Sequence, residues 1–201
     1  MKPKLLLATR NRAKIREYQS LLRDVPLQLT DLAKEGIEGE VSETGDTLEE
    51  NAKLKAAGHT VDSGFLVLAD DSGLEVDALG GGPGPLSARY AGENASDAGR
   101  IDFLLSRLEG VLWEKRSARF RSVIAVADCS RIVALCEGEC EGIITFEPKG
   151  NQGFGYDPVF YLPELGKTMA ELSMEEKNRV SHRGRAAREA VQFLREYVSG
   201  D

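Results

Sequence analysis

Short apolar runs alternate with segments of helical periodicity between residues 5 and 69, and few folds accommodate that order. Residues 5–8 predict a buried strand, and the apolar spacing within residues 13–22 predicts a helix. A capping-box pattern at residues 47–50 starts a second helix, which we expect to run to about Ala57. Residues 65–69 predict a second buried strand. Strands that alternate with helices indicate a mixed α/β chain.

The remainder of the chain adds strands and two more helices. Alternating apolar positions predict a half-exposed strand over residues 74–78. An apolar stripe predicts a helix over residues 97–109, and the last helix is expected at about residues 186–198. Between these helices lie three predicted strands, separated by short turns as antiparallel neighbours are, over residues 120–127, 132–136 and 143–146.

Length and charge limit the kind of protein this can be. The chain has 201 residues, enough for one sizeable core and too few for two comfortable domains, so we expect a single domain over residues 1–201. Its 33 acidic residues outnumber its 26 basic ones, which argues against a nucleic-acid partner because affinity for a phosphate backbone comes mainly from Lys and Arg. The apolar runs are too short for a membrane span or a signal peptide, so we expect a cytoplasmic protein with no membrane partner.

A basic, polar turn follows the first predicted strand. A strand that leads into a helix presents backbone amides at the helix N-terminus, and phosphates bind there readily. We expect phosphate binding by the residues of this turn, which are Thr9, Arg10, Asn11, Arg12, Ala13 and Lys14. A solvated turn with basic residues has the same sequence, and the turn lacks the Gly-Lys-Ser/Thr ending of a Walker A loop.

Adjacent carboxylates follow the second buried strand, at Asp70-Asp71-Ser72-Gly73. Two neighbouring acids beside a core strand repel each other, so a cation that neutralises them would explain their placement. Because oxygen ligands without a His or Cys cluster suit Mg²⁺, we predict a magnesium site here. An Asp-Ser-Gly turn between two strands is the alternative, since such turns are common.

Two more charged residues lie near the second helix. Glu43 precedes this helix and offers a third carboxylate, although by itself it reads as a loop acid. Lys55 shares a helical face with Leu48 and Ala52, which places its cation on the side expected to face inward. Snorkelling of the long side chain explains that position equally well.

Glycines surround two aromatic residues and an acid in residues 150–158, a composition suited to a rigid loop that meets a planar ligand. The alternative is an aromatic-anchored Ω-type loop. Lys177 and residues 181–184 add donors before the last helix, where a cation cluster usually faces solvent. The glycine-rich residues 80–85 do not form a Rossmann motif because prolines remove amides that a phosphate would need. They predict a tight loop that leads to Arg89, which could reach a ligand.

Taken together, these motifs resemble those of the inosine triphosphatase family, the pyrophosphatases of noncanonical purine nucleoside triphosphates, over essentially the whole chain. The segments that carry the resemblance occur in the family's order and are Thr9-x-Asn11-x-x-Lys14, Glu43-Thr44-Gly45-x-Thr47, Glu50-Asn51-Ala52, Asp70-Asp71-Ser72-Gly73-Leu74, Phe154-Gly155-Tyr156-Asp157, Glu176-Lys177-Asn178 and Ser181-His182-Arg183. One departure is that the family's first turn commonly carries glycine where this chain has Arg10, and often another where it has Ala13.

The resemblance implies an α/β fold in which an elongated mixed β-sheet with flanking helices forms two lobes around a nucleotide cleft. It also implies dependence on Mg²⁺ and a homodimer. By the family's pattern, Glu43 and Asp71 hold the metal, Asp71 accepts a proton and Ser72 contacts the substrate. Thr9, Asn11 and Lys14 match the residues that bind the triphosphate in the family, and Lys55 lies near them in that pattern. The residues that match the nucleoside pocket are Phe154, Gly155, Tyr156, Asp157, Lys177, His182 and Arg183, and Arg89 is a further candidate.

The implied reaction is hydrolysis of ITP, dITP and XTP to the monophosphate and pyrophosphate. Water would attack the α-phosphorus while Mg²⁺ and the cations stabilise the leaving group and Asp71 accepts or orients the proton. A Maf-like pyrophosphatase of pyrimidine triphosphates and a nucleotide-binding regulator without hydrolysis are the alternatives. The acids around Asp71 favour the enzyme over the regulator. Carboxylates repel a bound triphosphate, and a protein that only binds the nucleotide does not need them, whereas an enzyme uses them in catalysis.

Selection among purines would depend on the 6-position of the base. Hypoxanthine and xanthine present a keto acceptor there, whereas adenine presents an amino donor. His182 and Arg183 are the candidate donors to that keto group, and we expect Phe154 or Tyr156 to supply a stacking face. Stacking binds every purine with similar strength, so the hydrogen-bond donors would discriminate between the bases.

Overall fold

The computed structural model describes residues 3–199, and the chain divides into two compact units. The first unit combines the chain up to Asp71 with Ser122–Gly138 and with the chain from Arg183 onward. The second unit combines Ser72–Arg121 with Glu139–His182.

The described residues form eight strands and five α-helices, and the last four of the strands follow one another without an intervening α-helix. The strands are β1 (Lys4–Leu7), β2 (Gln28–Asp31), β3 (Leu66–Val76), β4 (Pro83–Gly84), β5 (Ser117–Asp128), β6 (Arg131–Ile144), β7 (Phe160–Leu162) and β8 (Lys167–Thr168). The α-helices are α1 (Arg12–Leu21), α2 (Leu48–Ser63), α3 (Asp97–Arg107), α4 (Met174–Val180) and α5 (His182–Ser199). Hydrogen-bonded neighbours follow the order β2-β1-β3-β5-β6-β7-β8, and β4 pairs with β3.

Both pairing directions occur in this sheet. Strand β1 runs parallel to β2 and β3, whereas β7 runs antiparallel to β6 and β8. The predicted α/β class with a mixed sheet is therefore confirmed.

The core of the first unit explains why β1 is apolar throughout. Leu5 and Leu7 lie in one hydrophobic cluster, and Leu6 and Ala8 lie in another, so both faces of the strand are covered. Leu6 is opposite Val67 in the parallel pairing with β3. A parallel strand that is buried on both faces reads as a continuous apolar run, which is the pattern of residues 5–8.

The second unit has its own apolar cluster. Helix α3 contributes Ile101 and Leu104 from the stripe seen in the sequence, and Leu108 follows directly after the helix. Phe120 and Phe160 pack in the same cluster with ring centres 4.5 Å apart. The prediction of an amphipathic helix in this region is confirmed.

The sequence-based prediction of a break in β3 is wrong. Residues 70–73 are not a turn, because β3 continues from Leu66 through Asp70 and Asp71 to Val76. The two strands predicted at residues 65–69 and 74–78 are largely one strand. Carboxylates can lie within it because cations neutralise them, as the site geometry below shows.

Strand β6 also joins two predicted strands, since it runs continuously from Arg131 to Ile144. The link was missed because Glu137, Glu139 and Glu141 alternate there with Cys and Gly, which are weak apolar signals. Helices α2 and α5 are longer than predicted, while β2 and α4 were not predicted at all. Helix α2 ends where Gly64 adopts a φ of 63°.

The helices of the described residues were compared with the requirements for crossing a membrane. Among residues 3–199, no helix combines the length and the apolar character that crossing a bilayer requires.

Candidate active site

The turn between β1 and α1 is organised around the N-cap of α1. Asn11 Oδ1 accepts hydrogen bonds from the amides of Ala13 (2.9 Å) and Lys14 (3.2 Å), and the Asn11 amide donates to Thr9 Oγ1 (3.2 Å). Two amides that the sequence offers to a phosphate are therefore bound by Asn11. Contacts from this turn to a triphosphate would come mainly from side chains, among which Thr9 and Lys14 are half-buried.

A chain of buried ion pairs begins at Lys14. Its ammonium lies 2.9 Å from Asp70 Oδ2, and the guanidinium Nε of Arg183 lies 3.4 Å from the same oxygen. Arg183 Nη1 also donates to Glu17 Oε2 at 2.6 Å. Only 2% of Arg183 is exposed, so its charge is used inside the first unit. This placement favours a role in holding Asp70 over direct contact with a base.

A second set of ion pairs converges on Lys55 of α2. Its ammonium donates to Asp71 Oδ1 and to the carbonyl of Asp70, both at 2.8 Å, and lies 2.9 Å from Glu43 Oε1. Snorkelling is therefore excluded, because the charged end of Lys55 is buried among acceptors. The structure brings together Glu43, Lys55 and Asp71, which the sequence only places in separate segments.

Burial and charge move the pKa values of the two adjacent acids in opposite directions. Burial raises the pKa of Asp71, and Lys55 offsets only part of that rise. Burial also favours a higher pKa for Asp70. The positive charges of Lys14, Arg183 and Lys55 have the larger effect, and they hold the pKa of Asp70 well below its usual range. Asp70 is thus a fixed anion, whereas Asp71 is the acid better able to exchange a proton.

The acids near Lys55 fit a magnesium ion. Asp71 Oδ2 is buried and has no hydrogen-bond partner among the described residues, and Glu43 is an exposed carboxylate on the same lysine. Within residues 3–199, no set of three or more His, Cys, Asp or Glu side chains forms a metal-binding group. Mg²⁺ commonly uses one or two carboxylates and completes its shell with water and substrate phosphates, so two acids suffice.

In the second unit, residues 150–157 form what we call the aromatic loop. Asp157 Oδ2 accepts a hydrogen bond from the amide of Phe154 at 2.8 Å and another from the ammonium of Lys177. That ammonium also lies 4.8 Å from the centre of the Phe154 ring. Gly153 has a φ of 73°, and a Cβ there would come within 2.0 Å of Asp157 Oδ2, so only glycine fits.

Tyr156 anchors the aromatic loop instead of facing a ligand. Its ring is buried, its hydroxyl donates to the carbonyl of Ser87 at 2.9 Å, and burial raises the pKa of Tyr156 to about 12. Of the two rings predicted to stack on a base, that of Tyr156 is therefore engaged within the protein, whereas that of Phe154 is half-buried. The loop has the anchored character of an Ω-type loop and still presents an aromatic ring.

Sequence reasoning missed two acids that hold these residues. Asp97, in the first turn of α3, accepts a hydrogen bond from the amide of Gly155 through Oδ2 at 2.7 Å. Glu17, on the buried side of α1, pairs with Arg183. The sequence carried no local signal for Glu17, because neighbouring residues of a helix point in different directions and a core Tyr18 does not predict burial of Glu17.

The other predicted residues occupy varied positions. His182 is buried, and its ring stacks on Phe120 with centres 4.6 Å apart. Ser72 is half-buried on β3, while Arg12 is exposed at the start of α1. Arg89 is exposed on a short turn of 3-10 helix, Ser87–Arg89.

Comparison with known proteins agrees with the resemblance seen in the motifs. The family model described as "Ham1 family" matches residues 5–193. The chain is 49% identical over 191 residues to the dITP/XTP pyrophosphatase of Desulforamulus reducens, covering 95% of each protein. It is 48% identical over 196 residues to the dITP/XTP pyrophosphatase of Geobacillus kaustophilus, covering 98% of this chain and 96% of that one.

A solved structure supports the same assignment. The HAM1 protein from Coxiella burnetii matches with a TM-score of 0.87 at 43% identity, covering 96% of this chain and 99% of that chain. The Ham1 protein of Staphylococcus aureus matches with a TM-score of 0.84 at 40% identity, covering 95% and 97%. Sequence and structure over nearly the full length therefore place this chain in the Ham1 family.

Proposed function

We propose that this chain hydrolyses noncanonical purine nucleoside triphosphates, namely dITP, XTP and ITP, to the monophosphate and pyrophosphate. Relatives that are 49% and 48% identical are named dITP/XTP pyrophosphatase. The observation that carries the proposal for this chain is the convergence of Glu43 and Asp71 on buried Lys55. Such a group can bind a metal, attract phosphate and move a proton.

Lys14 and Lys55 bind the triphosphate in this proposal. Each ammonium now neutralises a carboxylate, Asp70 for Lys14 and Asp71 for Lys55. Burial lowers the pKa of Lys14, although Asp70 opposes the change, so an incoming anion would help to keep that ammonium charged. Thr9 and Asn11 lie in the same turn and supply neutral polar contacts.

Asp71 acts as the proton acceptor. Lys55 holds Asp71 Oδ1 at 2.8 Å and so fixes the orientation of the carboxylate. Through Oδ2 the side chain would orient the attacking water or take up its proton.

Glu43 and Asp71 would also hold Mg²⁺. When bound, this ion supplies positive charge that stabilises the charge developing on the phosphate oxygens. The preference of Mg²⁺ for oxygen ligands and the unpartnered, buried Oδ2 of Asp71 support this assignment.

The aromatic loop binds the base. Phe154 supplies a ring that can stack on any purine, and Lys177 with Asp157 keeps that ring in place. His182 is the remaining candidate donor to the 6-keto group, because Arg183 is engaged by Glu17 and Asp70.

The setting of the enzyme is part of the proposal. We infer a homodimer in the cytoplasm, where such an enzyme would remove damaged purine nucleotides from the precursor pool. The family resemblance supports the homodimer, and the short apolar runs of the sequence support the cytoplasm as its location.

The test is to incubate the purified protein and Mg²⁺ with ITP, dITP, XTP, GTP, ATP and CTP, and to separate phosphate from pyrophosphate. We expect pyrophosphate in one step from the first three. Asp71→Asn should lower kcat about 10²- to 10⁴-fold while nucleotide binding stays measurable, because the charge is lost but the shape is kept. Asp102→Asn, an exposed acid on α3, is the matched control and should retain full activity.

Other outcomes would assign the protein differently. Preferential hydrolysis of CTP would indicate a pyrimidine-specific pyrophosphatase. Tight binding of ITP without turnover would indicate a regulator. Inorganic phosphate that appears before pyrophosphate, with a diphosphate intermediate, would exclude cleavage at the α-phosphorus.

A further inference from the structure

The loop that carries Glu43 has no regular secondary structure of its own. It spans residues 37–47 between β2 and α2. Its later part is tied to α2, because the Gly45 amide donates to Asn51 Oδ1 and the Asp46 amide donates to Glu50 Oε2, both at 2.8 Å. Glu43 itself lies before these ties, and its carboxylate is held by Lys55 at 2.9 Å.

The middle of this loop packs against α2 at Val41. A Cβ added to Gly58 would lie 2.6 Å from Cγ2 of Val41, which shows how closely Val41 approaches the helix backbone. Val41 holds the loop by packing, and no hydrogen bond joins it to another residue within 3–199. The first part of the loop is held at Ile37, whose amide donates to the carbonyl of Leu32 at 2.9 Å and whose side chain packs against an apolar cluster of the first unit.

Between Ile37 and Val41, Arg10 adds contacts from the turn between β1 and α1. Its Nη2 donates to the carbonyls of Ile37 (3.0 Å), Glu38 (2.7 Å) and Gly39 (3.3 Å). These are charge-assisted hydrogen bonds, which are stronger than neutral ones. Arg10 is exposed, so water weakens them in part, but they connect the turn that bears Lys14 to the loop that bears Glu43.

We propose that Arg10 is a positioning residue that holds the loop so that Glu43 faces Lys55 and Asp71. This inference rests on the proposed function, because Glu43 matters there as a metal ligand. It differs from the expectation that Arg10 binds phosphate, since Nη2 is directed to main-chain carbonyls. Glycine, which the resembling family commonly carries at this position, could not make these hydrogen bonds.

The test compares Arg10→Ala with Arg12→Ala, which removes the same charge from the same turn but leaves the contacts of Arg10 in place. Hydrogen–deuterium exchange of the metal-free protein should be about tenfold faster at the hydrogen-bonded amides of Ile37 and Gly45 for Arg10→Ala and unchanged for Arg12→Ala. Titration with Mn²⁺, followed by electron paramagnetic resonance, should give a Kd about three- to tenfold higher for Arg10→Ala. Arg10→Lys should recover only part of both effects, because an ammonium cannot reproduce the planar guanidinium.

Three outcomes would overturn the inference. Unchanged exchange and Mn²⁺ affinity together with a raised KM for ITP at saturating Mg²⁺ would make Arg10 a phosphate ligand. Faster exchange with unchanged Mn²⁺ affinity would mean that the loop does not position Glu43. No change in any measurement would leave Arg10 without this role. The exchange and Mn²⁺ measurements need no turnover, so they decide the role of Arg10 even if the protein hydrolyses none of the triphosphates.

Discussion

Asp70 is the residue on which the charges of the first unit depend. Lys14 and Arg183 both contact its Oδ2, and Lys55 donates to its main-chain carbonyl. A fully buried carboxylate that meets several cations stabilises the fold only while it is ionised. The residue therefore links the stability of this unit to the geometry of the proposed site.

Asp70→Asn should lower the free energy of unfolding at pH 7 by about 3 to 5 kcal/mol, because Lys14 and Arg183 would be left buried without their shared anion. The pKa of Asp70 is lowered in the folded protein. Its stabilising effect is therefore present above the ordinary carboxyl pKa of about 4 and is lost as the pH falls below it. Urea unfolding should be measured for both proteins at several pH values. The difference in free energy of unfolding between wild type and Asp70→Asn should become smaller below about pH 4. A difference that stays constant over this range would contradict the prediction, and Asp24→Asn, an exposed acid, is the control.

Lys14→Ala and Lys55→Ala should reduce kcat/KM for ITP, dITP and XTP by the same factor. A lysine meets phosphate as a point charge and carries no information about the base. Steady-state kinetics with each nucleotide checks this. If either variant changed the ranking of ITP against GTP, that lysine would belong to the base pocket.

At the scale of elements, the aromatic loop depends on a helix that is distant in sequence. Burial raises the pKa of Asp97, but the amide of Gly155 and the guanidinium of Arg100 outweigh it, so the pKa of Asp97 is lowered and the acid stays charged. The carboxylate thereby ties the loop to the N-terminal turn of α3. An ionised acceptor at this position holds the main chain next to Phe154.

Asp97→Ala should raise KM about three- to tenfold for every purine triphosphate, because the loop would lose a charge-assisted hydrogen bond and Phe154 would lose its fixed position. The ranking of the nucleotides should not change. Asp102→Ala, on the same helix and exposed, is the matched control. Steady-state kinetics that showed a change in kcat alone would argue against a binding role for the loop.

Helix α1 and strand β3 show which secondary-structure elements could be predicted from the sequence and which could not. The apolar spacing of residues 13–22 predicted α1 to within one residue at each end. Strand β3 was divided incorrectly because two adjacent acids and a glycine have the composition of a turn. The cations that allow these acids to stay in a strand come from α1, α2 and α5, and local patterns do not show them.

At the scale of the whole molecule, we expect a homodimer. Sedimentation velocity at micromolar concentration should give twice the mass of one chain. The expectation rests on the resemblance to the inosine triphosphatase family. A species with the mass of a single chain under these conditions would contradict it.

The sequence by itself determined the α/β class, the buried position of β1, the capping box that starts α2, and the types of residue available for phosphate and metal binding. Each depends on local periodicity or on groups within a few residues, which the order of amino acids specifies directly. Only the tertiary structure decided which charges meet. Arg183 reaches Asp70 across 113 positions and Glu17 across 166, and Arg10 holds a loop that begins 27 positions later. Such pairs form because buried or concentrated charges need partners, and the fold decides which partners lie within reach.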